Sequence, residues 1–586
     1  MPEIPLESAR PKHRSPGRAT VAGAVATVLW VLFCLCWFDV AAPWRPPYLS
    51  DLPRLAFLPP ALVAALVWLR GRWRVLAGES LGPARSGLLL VLVLAFFFRL
   101  PVVSGGAAAA VTPDGALSGI VALHARDGVE RLVFVPHVPY SGSLKSHLTA
   151  PLAFFVDPAR AFALVSVLFY LGYVAGLHRL ALVVAGPRAA LLAGLYAAFS
   201  PAFVTRYSLS NDGNYVEVLA FGTWALWLAT RWTREEAARR PLALAAGLLL
   251  GLGFWCHILA VIPAAALVLL FMLVARQRAT PSLLGFGSGW LVGYVPGLLW
   301  NRANEWLSFH YLVPGEARAG ETGARGLAAV TAGLGHKLTL MVSDQWPVLM
   351  GYDPGYPPSV DRLLLGLAWL GVVAALLAGG HAAWRAARER SWPLAVLVLF
   401  AAVNLGIALL GLPHLPGNPR YILFLMSVVP VFLAATFGEG KRRLVLLVLL
   451  ATGATASFAH VPGTLRSDAR WREFVATLEG EGVRWCFTDF SLATRINFLS
   501  EERVVCSAKL GPTTTEYFFA YREAVDRAPE AAIVAVNRTS ADRMERRLEK
   551  LGVTFERRDL MKPVLLRLSR KVDPKELFPG REFALR

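Results

Sequence analysis

Long apolar stretches, separated by loops of alternating charge, occupy most of residues 19–460 of this chain. A helix needs about 20 mostly apolar residues to cross the hydrocarbon core of a bilayer. The pattern therefore predicts a polytopic membrane helix bundle with about 13 spans. The predicted spans are residues 19–41, 53–69, 86–103, 160–177, 187–204, 215–231, 241–256, 258–275, 282–300, 361–379, 392–411, 420–437 and 443–460.

Lysine and arginine are concentrated in every second connection between these stretches. Because basic loops stay in the cytoplasm, the alternation predicts which side of the membrane each loop faces. The N-terminus is predicted to be cytoplasmic, and an odd number of spans places residues 461–586 outside. The basic connections are 10–18, 70–85, 179–188, 231–240, 276–278, 385–390 and 441–443.

Composition excludes two broad classes of protein. With 55% hydrophobic residues and a mean hydropathy of +0.50, the chain is not an ordinary soluble globule. Its formal net charge of +19 could suggest a nucleic-acid partner. Much of that charge lies in the loops predicted to be cytoplasmic, and no basic stripe interleaved with aromatic residues is visible. We therefore expect membrane lipid, and no nucleic acid, as the partner of the basic loops.

Three regions follow from this pattern. Residues 1–85 form a cytoplasmic N-terminus and two extra spans, and residues 86–460 form the main transmembrane region. Its two long outer loops, 104–159 and 301–360, each contain a stretch that could lie as a helix along the interface, at 115–127 and 326–349. Residues 461–586 alternate helical and strand patterns, which predicts a small extracytoplasmic α/β domain. The predicted tail elements are helices at 471–479, 492–499 and 541–551, and strands at 483–490, 503–507, 531–536, 554–559 and 564–569.

The five cysteines carry little information about chemistry. Cys34, Cys36 and Cys256 lie in or at predicted spans and are expected to pack as small apolar residues. Cys486 and Cys506 lie in the tail, where an oxidising compartment permits a disulfide, but the sequence alone does not pair them.

Acidic residues in the outer loops are the candidate catalytic groups. Asp114 follows the third predicted span and could act as a general base at the mouth of a cavity, although its position before an apolar run also suits a helix N-cap. Asp212 and Glu217 lie in the densest polar loop and could share this work. Asp114 and Asp212 could also hold a divalent cation through oxygen ligands. The alternative is a solvated loop with an interfacial glutamate.

Several other outer residues are candidates for binding an anionic ligand or a sugar. Arg420 begins a predicted span from the outside, against the charge rule, and a guanidinium matches phosphate geometry. The alternative is that Arg420 reaches to lipid headgroups, and His257, in a tight turn between two spans, could likewise be a structural interfacial residue. The candidate substrate-binding residues are Tyr140, Lys145, Arg206, His257, Arg420 and Tyr421.

Four segments, in order along residues 86–437, resemble those of a known family. They are Tyr140-Ser-Gly-Ser-Leu-Lys-Ser-His-Leu-Thr-Ala-Pro-Leu, Ser200-Pro201, Gly289-Trp-Leu-Val-Gly-Tyr-Val-Pro-Gly-Leu-Leu-Trp-Asn301 and Asn418-Pro-Arg-Tyr421. The chain resembles the GT-C-type integral membrane glycosyltransferases, especially the bacterial relatives of dolichyl-phosphate-mannose protein mannosyltransferases and the lipid A aminoarabinose transferase.

This resemblance implies a GT-C-like architecture in residues 86–460. It implies transfer of a sugar from a polyprenyl-phosphate donor to a lipid, glycan or protein acceptor at the outer face of a bacterial cytoplasmic membrane. Asp114 would match the family's first-loop acid, Asp212 or Glu217 the second acid, and Arg420 the phosphate contact. Asp114 is followed by Gly115 rather than by a second acid, so the resemblance does not settle whether a divalent cation takes part, and it names no certain cofactor.

Two other classes of protein would share the membrane architecture. An O-antigen ligase or polymerase-like enzyme would also use a lipid-linked donor from outside. A lipid-linked sugar flippase or transporter would show inverted repeats and broken helices near the midplane. No such repeat is visible in the sequence, and the long one-sided loops favour an enzyme.

Overall fold

A computed structural model describes most of the chain. The residues described are 17–45, 49, 52–77, 84–210, 213–275, 279–310, 333–353, 358–411, 419–510, 516–560 and 562–578. The chain divides into two compact units, Met1–Ser80 and Leu81–Arg586.

The first unit is a pair of packed helices, α1 (Gly17–Trp37) and α2 (Leu58–Ala77). A short 3₁₀ turn, Asp39–Trp44, follows α1. Gly23 permits the close approach of the pair, because a Cβ there would lie 2.7 Å from the Trp68 ring. They overlap the two extra spans predicted from the sequence, and α1 is one of the helices long and apolar enough to cross a membrane.

The first long loop of the second unit is folded throughout. It follows α3 (Ala84–Gly105) and contains α4 (Ala107–Ala110), α5 (Pro113–Asp127), an antiparallel hairpin of β1 (Phe134–Val135) and β2 (Val138–Gly142), and α6 (Leu144–Leu152). The predicted interfacial helix at 115–127 is thus confirmed as a helix, but its residues 115–125 are buried in protein rather than spread on a surface.

The remaining membrane region is almost entirely helical. Its α-helices are α7 (Pro158–Ala198), α8 (Ala202–Tyr207), α9 (Tyr215–Trp232), α10 (Arg239–Cys256), α11 (Val261–Ala275), α12 (Ala279–Gly293), α13 (Val295–Ala303), α14 (Leu307–His310), α15 (Leu334–Leu340), α16 (Trp346–Leu349), α17 (Pro358–Arg388), α18 (Trp392–Gly406), α19 (Val429–Phe437) and α20 (Arg443–Gly480). Short 3₁₀ helices lie at Glu236–Ala238, Ile258–Ala260, Leu423–Ser427 and Gly440–Arg442, and π-helical turns at Met341–Gln345 and Ile407–Gly411. The second predicted interfacial segment, 326–349, is helical from Leu334 onward, and its first residues lie outside the described part.

Six helices among the described residues are long and apolar enough to cross a membrane, or seven if one bent pair is a single span. This makes the chain a multi-pass membrane protein. The predicted count of about 13 is not confirmed. Predicted span 420–437, for example, contains a 3₁₀ turn and the nine-residue α19, too short to cross a bilayer as one regular helix.

Two interruptions in these helices have identifiable local causes. Gly186 has φ +86°, which only glycine adopts readily, and with the following Pro187 it divides α7 where the sequence predicts two spans. The second interruption separates α12 from α13, whose axes differ by 68°. Pro296 in the first turn of α13 cannot continue the hydrogen-bond ladder of α12, so the break occurs at Tyr294.

The tail begins as a continuation of the last membrane helix, since α20 runs without a break to Gly480. It then forms β3 (Trp485–Phe487), α21 (Phe490–Leu499), β4 (Val505–Ser507), α22 (Phe519–Arg527), β5 (Ala532–Ala535), α23 (Arg538–Lys550), β6 (Phe555–Asp559), β7 (Val564–Leu568) and α24 (Pro574–Leu577). The predicted helices and strands of the tail are confirmed, and α22 and the short α24 are the described elements that the sequence analysis missed.

The tail strands form one five-stranded sheet in the order β4-β3-β5-β7-β6. β3 is parallel to β4 and to β5, whereas β7 is antiparallel to β5 and β6. Cys486 and Cys506 lie side by side on β3 and β4 and form a disulfide. The pairing that the sequence left open is therefore between neighbouring strands.

Candidate functional site

Asp114 lies at the start of α5 and is exposed to solvent. Thr112, not Asp114, is the N-cap of this helix, because the Thr112 hydroxyl accepts a hydrogen bond from the Gly115 amide at 2.9 Å. Pro113 follows at the first helical position, which suits its fixed φ. The alternative prediction that Asp114 caps the helix is therefore wrong. Its carboxylate lies in the first turn, where the helix dipole favours negative charge.

Lys145 on α6 and Glu217 on α9 form an ion pair buried inside the protein. Lys145 Nζ lies 2.7 Å from Glu217 Oε1, and the two side chains are 1% and 0% exposed. Lys145 also donates a long hydrogen bond of 3.5 Å to the Ser210 carbonyl. Each charge offsets part of the cost of burying the other. The sequence predicted Lys145 as a substrate-binding cation and Glu217 as a catalytic acid, and the structure brings these two predicted residues into direct contact.

Asn214 is a further residue of this region that the candidate set omitted. It is buried in the left-handed conformation (φ +52°), and its Nδ2 donates to the Ser141 hydroxyl, the Gly142 carbonyl and the Cys256 carbonyl at 3.1, 2.7 and 3.0 Å. It thereby joins the hairpin of the first loop to the end of α10. The sequence could have pointed to Asn214, because it lies two residues after Asp212 and directly before the start of a predicted span.

His257 lies in the turn after α10, as predicted, and is also buried. Its backbone pairs with Ser141, and its ring lies between Tyr140 and Tyr215, with centroid distances of 5.6 and 5.2 Å. The Leu259 amide donates to His257 Nδ1 at 3.1 Å, which assigns the ring proton of the neutral histidine to Nε2. His257 can therefore offer one N–H donor to a ligand.

Arg420 brings a positive charge to the same region. It is half-buried in the turn before the 3₁₀ helix Leu423–Ser427, and its guanidinium carbon is 5.1 Å from the Tyr421 ring centroid. Burial first, and then the positive charge of Arg420, lower the pKa of His257 to about 3. At neutral pH His257 is thus an uncharged hydrogen-bond donor beside a permanent cation.

Lys145 contacts Glu217, and His257 contacts Tyr140 and Tyr215, which lies two residues before Glu217. Tyr215 also contacts Phe424, four residues after Arg420. The predicted residues Tyr140, Lys145, Glu217, His257 and Arg420 therefore lie in one region formed by four segments of the chain. Arg206 is exposed at the end of α8, and Asp114 lies at the start of α5. Asp212 lies outside the described residues. Within the described ranges, no group of three or more His, Cys, Asp or Glu side chains is arranged to hold a metal ion.

No protein-family profile matches the sequence, and no curated protein matches it either. Solved structures do match its fold. ArnT from Cupriavidus metallidurans in the apo state is 14% identical, with a TM-score of 0.54 over 82% of this chain and 98% of that one. ArnT bound to undecaprenyl phosphate is 13% identical, with a TM-score of 0.52 over 83% and 98%.

The archaeal oligosaccharyltransferase AglB from Archaeoglobus fulgidus, in complex with an inhibitory peptide and a dolichol-phosphate, is also similar. It is 14% identical, with a TM-score of 0.47 over 80% of this chain and 70% of that one. The match to ArnT covers nearly all of that protein and carries the structural argument. The chain therefore has the GT-C-like fold that the resemblance in its sequence predicted.

Proposed function

We propose that this protein is a membrane glycosyltransferase that transfers a sugar from a polyprenyl-phosphate donor to a lipid, glycan or protein acceptor. The observation that carries the proposal is that Lys145, His257 and Arg420, from three separate segments, lie in one region. Tyr215 contacts both the His257 ring and Phe424, four residues after Arg420, and it lies two residues before Glu217, the partner of Lys145. An N–H donor and two cations at one place suit a phosphate group. The ArnT structure with undecaprenyl phosphate, a protein of the same fold, supports a lipid phosphate as the ligand.

In this proposal, Arg420 binds the donor phosphate through its planar guanidinium, and His257 donates from Nε2. Glu217 holds the ammonium group of Lys145 in place through their ion pair. Asp114 accepts the proton of the acceptor hydroxyl as that oxygen attacks the anomeric carbon. The bond from this carbon to the phosphate oxygen then breaks, and the cations stabilise the negative charge on the departing lipid phosphate.

The organisation of the chain in this proposal follows the sequence prediction. Residues 1–85 are an N-terminal addition, 86–460 the catalytic membrane domain, and 461–586 an extracytoplasmic domain. The reaction takes place at the outer face of the cytoplasmic membrane, because the first loop and the tail lie on that side. A divalent cation held by Asp114 and Asp212 remains part of the proposal and would assist the acid–base step.

The test is to incubate the purified protein with a panel of polyprenyl-phosphate sugars and measure release of polyprenyl phosphate. We expect one monophosphate donor to release lipid phosphate in proportion to the sugar transferred. Release only from diphosphate-linked glycans would instead identify a ligase or polymerase. Movement of intact donor across vesicles without release would identify a flippase. Adding a chelator in the same assay tests whether transfer requires a divalent cation.

A further inference from the structure

Helix α5 carries the proposed base, Asp114, in its first turn. The C-terminal domain packs against this helix along its length. Residues 115–125 are all buried. Gly119 faces the Phe498 ring of α21 so closely that a Cβ there would lie 2.6 Å from the ring. Leu117, Ile120 and Phe498 belong to one hydrophobic core, shared by the first loop and the tail sheet. The tail domain thus packs directly against α5.

Polar contacts fasten the far end of this helix to the same domain. His124 Nε2 lies 2.7 Å from Glu502 Oε1, and His124 Nδ1 lies 2.7 Å from Glu130 Oε1. The Tyr521 hydroxyl also donates to Glu502. Two residues further along α5, Arg126 Nη1 lies 2.7 Å from Glu501 Oε2. Two neighbouring acids of the tail therefore bind two basic residues of one helix.

The backbone of these two acids is unusual. Glu501 and Glu502 both have positive φ, +49° and +63°, a conformation that side-chain-bearing residues rarely adopt. Their amides donate to the Phe498 and Asn497 carbonyls at 3.1 and 2.8 Å, closing a tight turn after α21. Strain of this kind persists only where surrounding contacts maintain it. Here it directs both carboxylates toward α5.

We propose that these contacts form a polar latch through which the C-terminal domain fixes the position of α5 and therefore of Asp114. The latch consists of His124, Arg126, Glu130, Glu501, Glu502 and Tyr521. His124 and Glu502 are positioning residues, since they act on the reaction through the helix and touch no reacting atom. Only the link to Asp114 rests on the proposed function, because the latch itself is a contact between two parts of the fold.

The charges in the latch determine how it responds to pH. Burial lowers the pKa of His124, but hydrogen bonds and charges from Glu130 and Glu502 outweigh it and raise the pKa to about 9. Because this value is above the ordinary one, the contribution of His124 is complete below about pH 6.5 and disappears as pH rises through about 9. Burial raises the pKa of Glu502, but its contacts with His124 and Tyr521 lower it overall, so its contribution is lost only in acid. Glu130, Glu502 and Tyr521 contact His124 directly. The further ionisable groups at this end of α5 are Arg126, Asp127 and Glu501, which pair with one another.

Hydrogen exchange of α5 tests the latch without any assay of activity. In the full-length protein, we expect peptides covering residues 113–127 to exchange roughly tenfold to hundredfold faster in a Glu501→Gln/Glu502→Gln variant. That factor corresponds to the loss of charge-assisted hydrogen bonds. Glu523→Gln is the matched control, because it removes an ion pair to Arg527 on the surface of the same domain. Unchanged protection of α5 in the double variant would show that the latch does not hold the helix.

The pH dependence of the wild-type protein provides a test that needs no variant. After correction for intrinsic exchange, α5 should lose protection as pH rises through about 9, and His124→Gln should remove that dependence. The same variant should remove the alkaline fall of kcat in the transferase assay with little change in donor KM. Exchange that follows this pattern in a protein without transferase activity would support the latch and reject the proposed function. The opposite outcome is an active transferase in which wild type and His124→Gln share the same pH profile and the same α5 exchange. That outcome would overturn the latch and leave the proposed function standing.

Discussion

The side chains of the candidate site depend on one another, and the Lys145–Glu217 pair shows this most clearly. Both charges are almost completely buried at 2.7 Å, so removing one leaves the other without compensation. Breaking such a pair typically costs about 3–5 kcal/mol, whereas replacing both members is often close to neutral.

We therefore expect Lys145→Met and Glu217→Gln each to lower the stability of the purified protein strongly, by about 3–5 kcal/mol. The combination of the two should recover much of that loss, and thermal unfolding of all four proteins completes the double-mutant cycle. Recovery of stability without recovery of transferase activity is expected if Lys145 also contacts the donor. Additive losses of stability would mean that the two residues do not act as a pair.

Replacing Asp114 should lower activity without lowering stability, because Asp114 is exposed and Thr112 provides the cap of the helix. Asp114→Asn keeps the shape of the side chain and removes the base, so transfer should fall by about 10²–10⁴ while unfolding temperature and expression stay close to wild type. Thr112→Ala is the contrasting variant, since loss of a cap costs about 1 kcal/mol of stability and leaves the base in place. Near-wild-type turnover in Asp114→Asn would show that Asp114 is not the base and would leave Asp212 or Glu217 as the candidate.

At the scale of single residues, the sequence identified charged positions but not their partners. Lys145, Glu217, His257 and Arg420 are conspicuous because polar groups are costly among apolar helices. Which of them meet depends on how separate helices pack, and no local pattern contains that information. Asn214 was omitted for the same reason, since its importance lies in three acceptors contributed by two other segments.

Helices α10 and α12 approach each other so closely that their backbones touch, and glycine makes this possible. A Cβ at Gly247 or Gly251 would lie 2.0 or 2.2 Å from a carbonyl oxygen of α12. A Cβ at Gly289 or Gly293 would lie 2.1 or 2.4 Å from a carbonyl oxygen of α10. Small residues spaced by four on both helices allow the backbones to approach each other, which stabilises helix pairs in membranes.

Alanine at Gly289 should therefore force the two helices apart. The free energy of unfolding should fall by at least about 1–3 kcal/mol, the cost of overpacking a core. Gly287 lies on the same helix with nothing within 4 Å of its Cβ position. Gly287→Ala should consequently be neutral or slightly stabilising, since alanine favours helix over glycine. Thermal unfolding in detergent compares the two variants, and equal unfolding temperatures would contradict the close contact.

The elements that the sequence predicted best are those with a strong local signal. The strands and helices of the tail alternate in pattern and are found at nearly the predicted positions, and Gly186-Pro187 breaks α7 between two predicted spans. α22 was missed because it is only nine residues long and its sequence is polar overall, although Tyr521 and Val525 are buried on one face. The helix of the last predicted span, 443–460, does not end at residue 460, because α20 continues through Pro462 to Gly480 and leads into the tail.

For the molecule as a whole, the proposed function depends on the side of the membrane on which the tail lies. We expect a membrane-impermeant maleimide to label Glu523→Cys in intact spheroplasts, because this exposed position lies in the domain predicted to be outside. Arg388→Cys, in a loop predicted to be cytoplasmic, should be labelled only after the membrane is opened. Cys34, Cys36 and Cys256 are buried and Cys486 and Cys506 are bonded, so background labelling should be low. The reverse pattern would place the proposed site on the cytoplasmic face.

The proposed function requires the donor phosphate to bind in the region that contains Arg420, His257 and Lys145. The most direct measurement is the rate of polyprenyl phosphate release across donor concentrations for wild type, Arg420→Lys and Arg420→Ala. A lysine keeps the charge but cannot reproduce the bidentate geometry of a guanidinium. We therefore predict a marked rise in donor KM for Arg420→Lys and loss of donor use for Arg420→Ala, with expression unchanged. Wild-type kinetics for Arg420→Lys at every donor concentration would show that Arg420 only reaches to lipid headgroups and would contradict the claim.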